Sequence, residues 1–238
     1  MKVLLLLMIV CVMLPGCGAS EEKPSVKAEP ENRRLFKPPL LKEKGSTNMV
    51  SKLDAELLSE IDWHVRAGFY DKADLMRIFC EEMYAPGDLD ETLVSAKIDS
   101  QLAALEEKKK TWPAVTDCDR LNLAFAGMEK RGLIALQNAG NTQTDGYEIF
   151  EYCLEEEHPQ PETVIGYCFY HNQDLERAVA GDDLYLAFGP RDSKVEETKR
   201  LEVGNIVREE LERAGLQVEW DGTLNERLKV RELVWQRR

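Results

Sequence analysis

Leu133-Ile134-Ala135-Leu136-Gln137 is the stretch on which the fold turns, because apolar spacing changes there from helical to extended. Upstream, apolar residues recur at three- and four-residue steps. Downstream they gather into short aromatic or β-branched runs at Gly166–His171, Leu184–Phe188, Gln217–Trp220, Arg227–Val230 and Leu233–Gln236, bounded by Gly, Asn, Asp and Pro. Helical spacing returns between the runs at Asp145–Glu157, in a short turn at Gln173–Ala180, and at Lys194–Ala214, where Val203, Ile206, Val207 and Leu211 form a stripe. Strands and helices in this alternation, closed by a hairpin-like tail, predict an α+β fold whose N-terminal helices pack on a ferredoxin-like split βαβ sheet. The alternative is an α/β, doubly wound parallel sheet. It would need the segment from His171 to Asp183 as a crossover, for which about a dozen residues barely suffice.

Four amphipathic helices are predicted ahead of Leu133. Leu53, Leu57, Ile61 and Val65 fall at four-residue steps with Leu58 beside them, giving Ser51–Ala67 closed by Gly68. Asp71 caps the second, whose Leu75, Ile78, Phe79 and Met83 face one way until Pro86-Gly87 ends it. Asp90 caps the third, with Leu93, Val94, Ile98, Leu102 and Leu105 as its stripe, and Lys108, Lys109 and Lys110 where the helix dipole favours cations. Thr116 opens the fourth, with Asp119 three places on, and Gly132 is its left-handed closing residue.

The chain begins with Lys2, the unbroken apolar run Val3–Leu14, and Leu14-Pro15-Gly16-Cys17. As a helix that run spans only about 18 Å against a hydrocarbon core of about 30 Å, so it reads as a signal peptide and not a membrane span. The Leu-Pro-Gly-Cys ending resembles the bacterial lipobox, in which diacylglycerol is attached to the cysteine thiol and cleavage leaves that cysteine first. The organisation expected is a lipoprotein signal at 1–16, a disordered tether at 17–48 with Pro24, Pro30, Pro38 and Pro39, a helical part at 49–132, and an α+β part at 133–238 forming one domain with it. Lipid on Cys17, palmitate included, would hold the protein in the bacterial cell envelope. Gly18 after the cysteine resembles the signal for sorting to the outer membrane of a Gram-negative cell; in a Gram-positive cell the anchor would sit on the outer face of the cytoplasmic membrane. A formal net charge of −13 removes the main electrostatic term for nucleic acid and leaves membrane attachment to the lipid.

Several polar clusters are candidates for chemistry, and each has a structural reading beside it. Asp117 and Asp119 flank Cys118 at a helix start, where two carboxylates could bind a hard cation or act as acid and base, or simply cap. His171, followed by Asn172, Gln173 and Asp174 at a strand end, is the best-placed general base; the plainer reading is a turn histidine with Asp174 as helix cap. Asn138, with Ala139-Gly140 and Asp145-Gly146, forms a loop that could cradle a ligand, or a turn followed by an Asp145/Glu148 capping box. Trp220-Asp221-Gly222 reads as a strand entering a tight turn. Cys80, Cys118, Cys153 and Cys168 are even in number, allow three pairings, and match no zinc spacing. His64 reads as a helix-surface or satisfied core residue and His158 as a loop residue before Pro159. No cofactor or metal motif is present.

Trp112–Leu121, Ala135–Gly140 with Asp145-Gly146-Tyr147, Gly166–His171, Gln173–Val179, Leu186–Gly189 and Val218–Thr223 occur in an order that resembles an uncharacterised bacterial family, domain of unknown function 6891. The resemblance runs from about Asp62 to Arg238 and implies no activity. The lipobox and tether set this chain apart from its relatives. Two functions are therefore weighed. One is a non-catalytic binding or interaction domain, immunity-like, whose acidic body on a tether captures a cationic protein or a small-molecule ligand. The other is a hydrolase-type enzyme using His171 as base with Asp117 or Asp119 as partner. Convergence of His171, Asp117 and the Asn138 loop on one cleft would favour the enzyme.

Overall fold

The computed structural model describes residues 53–192 and 194–238. The expected signal peptide, Cys17 and the expected tether to Asn48 lie outside the described residues, and the first helix starts later than the expected Ser51, because Asp54 is extended and caps it. Helix α1 (Ala55–Ala67) starts where the Asp54 carboxylate accepts the Leu57 N–H at 2.8 Å, and Gly68 closes it at φ +75°. Asp71 and Asp74 form a reciprocal capping box for α2 (Lys72–Arg77), which continues into a wider turn at Ile78–Glu82. Asp90 caps α3 (Glu91–Lys109). These helices bury Leu57, Ile61, Val65, Leu75, Phe79, Val94, Ile98 and Leu105 against one another, whereas Leu93, expected in the stripe, is 39 % exposed.

Helix α1 has a second apolar edge, Trp63 and Ala67, that faces a different core. Helix α4 (Asp117–Lys130) joins that core through Leu121, Ala124, Phe125 and Met128, held at its start by the Thr116/Asp119 capping box and followed by Gly132 at φ +87°. Next come β1 (Leu133–Leu136), α5 (Gln143–Tyr152) with a wider turn at Cys153–Glu157, β2 (Gly166–Phe169), α6 (Asn172–Ala180), β3 (Leu184–Pro190), α7 (Glu197–Arg213), β4 (Gln217–Glu219) and β5 (Leu228–Arg231).

The fold is α+β with a five-stranded mixed sheet in the order β1-β2-β3-β5-β4. β1 and β2 are parallel neighbours, while the other three ladders are antiparallel, so the sheet is not the doubly wound parallel alternative. Strands β3 and β4, joined through α7, run parallel with β5 inserted between them. The α5 crossover instead joins strands that lie side by side. One face, including Leu133, Ala135, Cys168, Leu184, Leu186, Leu228 and Val230, packs on α4, α6 and α7. The opposite face, with Ile134, Leu136, Tyr167, Phe169 and Ala187, packs on Ile149 and Phe150 of α5.

Three local expectations are corrected. The fifth helix is capped by Thr142, whose hydroxyl accepts the Asp145 N–H while the Asp145 carboxylate accepts the Thr142 N–H, so the box is Thr142/Asp145 and not Asp145/Glu148. His171, not Asp174, occupies the capping position of α6, and its ring makes no capping bond. The run Leu233–Gln236 is not a strand. Glu232 turns the chain at φ +55°, after which the Val234 N–H goes to the Asp117 carboxylate and the Gln236 N–H to Cys118 Sγ, removing both donors from any ladder.

Candidate functional site

The carboxylates at the start of α4 hold the 233–238 segment. Asp117 accepts the Val234 N–H at 3.1 Å, and Asp119 pairs with Arg238 at 3.0 Å while serving the capping box. Burial raises the Asp119 carboxyl, but the Thr116 amide and hydroxyl with Arg238 and Arg237 outweigh it and leave it below the usual range. Between them, burial pushes the Cys118 thiol up to about 11, so it is no nucleophile near neutrality. Arg237, a cation that patterning did not single out, is buried with its guanidinium 4.0 Å from the Phe69 ring centroid and bonded to Asn122 and Gln137.

Asn138 adopts a left-handed conformation at φ +55°, one that asparagine tolerates, and its amide donates to the Tyr70 hydroxyl at 2.8 Å. Its carbonyl oxygen faces the Asn172 amide at 3.4 Å. The backbone of this loop is taken as well, with Ala139 N–H bonded to Tyr170 O and Asn172 N–H to Gly140 O. Asp145 is committed to the N–H groups of Asn141 and Thr142. The loop is thus an extension of the β1–β2 edge, with its amides already bonded.

His171 stands apart from Asp117 and Asp119 in its bonding. Its Nε2 lies 3.0 Å from Oδ2 of Asp174, a fully buried carboxylate that also accepts from Arg227 Nη1 at 2.9 Å. His171 is only 5 % exposed, and its Nδ1 is buried without a hydrogen-bond partner. Asp174 therefore joins a strand-end histidine to an arginine from the sheet's far side. The arginine points outward again, its guanidinium 5.0 Å from the Tyr185 ring centroid.

Arg227 leads to a cleft that no sequence pattern marked. β5 pairs with β3 only over Leu184–Leu186, whereas β2 pairs with it over Ala187–Pro190. Beyond Leu186 a cleft of about 500 Å³ opens, lined by Tyr147, Tyr167, Tyr185, Gly189, Arg200 and the 224–227 loop among others. Tyr147 and Tyr167 meet edge to face with centroids 5.6 Å apart, and Gln143 donates to the Tyr147 hydroxyl at 2.7 Å. Gly189 makes room for the Tyr167 ring, since a Cβ there would stand 2.7 Å from its Cζ. Burial, then the neighbouring Tyr147, holds the Tyr167 hydroxyl above the usual phenol range while Arg200 pulls the other way, so it remains a protonated donor. The Arg200 side chain makes no hydrogen bond or ion pair among the described residues, and its Nε is buried without an acceptor. Five elements supply this lining from positions 143 to 227, a separation that leaves no local signature.

Cys80, Cys118, Cys153 and Cys168 are all buried free thiols, and no cluster among the described residues could hold a metal ion. A family model for a domain of unknown function, number 6891, matches residues 51–238. The chain belongs to that family. The matched span contains every helix and strand given above, so the cleft and the docked 233–238 segment are both parts of the 6891 domain. No curated protein and no solved structure matches. No helix among the described residues is long and apolar enough to cross a membrane.

Proposed function

We propose that this chain is a lipid-anchored recognition domain of the bacterial cell envelope, holding a small-molecule ligand in the tyrosine–arginine cleft without transforming it. The observation that carries the reading is Arg200, a cation in a part-enclosed aromatic cleft whose buried Nε has no acceptor. A buried donor left unbonded costs about 1–3 kcal/mol, a cost that a ligand acceptor would remove. Asp117, Asp119, Asn138 and Asp145, by contrast, are committed to caps, turns and the 233–238 segment. The anchor rests on the order Lys2, Val3–Leu14, Cys17, and on a body whose acidity gives anionic headgroups nothing to hold.

One contact favours the hydrolase reading, the 3.0 Å approach of His171 to Asp174, which would replace Asp117 and Asp119 as the base's partner. A screen of hydrolase substrates with the full chain, with and without divalent metal, separates the two. Recognition expects no turnover. Turnover that falls by about 10²- to 10⁴-fold in His171→Ala without unfolding would establish general-base catalysis instead. Mass spectrometry of the mature N-terminus tests the anchor: a diacylglycerol-bearing Cys17 is expected, and an unacylated residue 17 or a different start would overturn it.

A further inference from the structure

We infer that the cleft takes a small organic anion, its carboxylate or phosphate held between Arg200 and Arg227 and its ring set against the tyrosines. The inference rests on the recognition reading above and specifies its ligand. Arg227 is a prepositioned donor. One nitrogen is fixed on buried Asp174 and the plane is set over Tyr185, which leaves further N–H groups of a planar fork along the cleft. Arg200 supplies the second cation, and no carboxylate among the described residues pairs with it. A planar fork fits the oxygens of a carboxylate or phosphate better than it fits a neutral group.

The charges around these two define what can enter. Asp174 is fully buried and paired with Arg227 and His171, so its charge is set against that of Arg227, which serves the ligand as a fixed N–H donor while Arg200 supplies the net charge. Glu226 also lines the cleft, but it is exposed to water. Lys229, its Nζ 5.7 Å from the Tyr185 ring centroid, is paired with Glu219. The remaining local charge is that of Arg200. At about 500 Å³ the space is that of a small organic ligand and is far larger than a bare ion. Tyr147, Tyr167 and Tyr185 supply the flat, partly apolar surface that a ring requires. The −13 net charge opposes anions elsewhere on the chain, so measured affinity would report this cleft.

The test is calorimetric titration of the full chain in detergent with phenyl phosphate, benzoate, inorganic phosphate and benzyl alcohol. Phenyl phosphate or benzoate should bind, the stronger of the two telling phosphate from carboxylate as the preferred group. Inorganic phosphate and benzyl alcohol, each lacking half of the ligand, should bind at least about tenfold more weakly. Arg200→Gln should weaken the organic anion by about tenfold or more without lowering the thermal midpoint, because the Arg200 side chain has no hydrogen bond or ion pair among the described residues. Arg200→Lys, which keeps the charge and loses the fork, should fall between. The inference is overturned if neither organic anion binds at about 10 mM, if benzyl alcohol binds as tightly, or if Arg200→Gln leaves affinity unchanged. Binding of a neutral ring alone would overturn the anion and leave recognition standing. Hydrolysis of bound phenyl phosphate would leave the anion standing and overturn recognition without turnover.

Discussion

His64 carries a pH dependence that can be worked out from its surroundings. It lies in the α1–α3 core with its ring centroid 3.7 Å from that of Trp63 and 5.1 Å from that of Phe79, and its Nδ1 donates to Glu60 O at 2.8 Å. Burial lowers its pKa from 6.5 to about 4, against the smaller opposing effect of the Glu60 carbonyl. The folded protein therefore binds a proton less readily than the unfolded chain. The stability involved is fully present above pH 6.5 and is lost as pH falls toward 4, amounting to about 3 kcal/mol at most. Urea midpoints measured from pH 7.5 to 4 should fall across that window, and His64→Gln should flatten the fall. An unchanged slope in the variant would show that carboxylates cause it. The same residue shows what single positions disclose. Four-residue apolar steps placed His64 on a helix, but whether its ring met water or Phe79 depended on α2 folding back over α1. Asp117 and Asp119 are similar: a capping role was legible in Thr116-Asp117-Cys118-Asp119, whereas their hold on Val234 and Arg238 spans more than a hundred residues.

At the scale of elements, Gly146 sets how closely α5 can approach the sheet. A Cβ at this position would stand 2.7 Å from Cδ2 and Cζ of Phe169 on β2. Glycine normally costs a helix about 1 kcal/mol relative to alanine, so an exposed Gly→Ala change would stabilise. Here the overlap should win. Gly146→Ala is expected to lower stability by about 1–3 kcal/mol, read from chemical denaturation, because Phe169 is fully buried and flanked by Tyr147 and Tyr167 and cannot simply rotate away. A stabilised variant would mean that α5 rides loosely on its face. Helix ends were the elements' most legible feature, since Asp71, Asp90 and Thr116 satisfy amides two or three residues away, although apolar spacing alone starts α1 at Ser51, ahead of its Asp54 cap. Pairing was not. Gly166–Phe169 reads the same beside β1 or apart from it, and nothing in Leu228–Arg231 says that it enters between β3 and β4. The cleft inherits that opacity, because it exists only where the β5 ladder stops short of Ala187.

At the scale of the whole molecule, the 233–238 segment adds a second link between the α1–α3 core and the sheet core, beside the contact of α1 with α6. Leu233 enters the sheet core, and the Trp235 indole donates to Ala67 O at the end of α1 and meets the rings of Tyr170 and Phe69. Arg237 bonds Asn122 on α4 and Gln137 after β1 while covering Phe69. Arg238 reaches Pro113 O and Asp119 and lies 5.8 Å from the Trp112 ring centroid, beside the partly buried rim of the α1–α3 core. Removing the segment exposes apolar surface in one core, takes one donor each from Asp117, Asn122 and Gln137, and removes the link it makes between α1 and α4. Deletion of residues 233–238 from the full chain should therefore cost about 4 kcal/mol or more. The loss should also be uneven: with only the α1–α6 contact left to hold it, the α1–α3 core should open first, and its amides should exchange before those of β1–β3. Arg237→Ala should reproduce part of this, because Asn122 and Gln137 lose the same donor and Phe69 loses the guanidinium that covers it. Hydrogen exchange followed by mass spectrometry checks both variants. A uniform loss of less than about 1 kcal/mol, with α1–α3 and the sheet still opening together, would show that the contact between α1 and α6 alone couples the two cores.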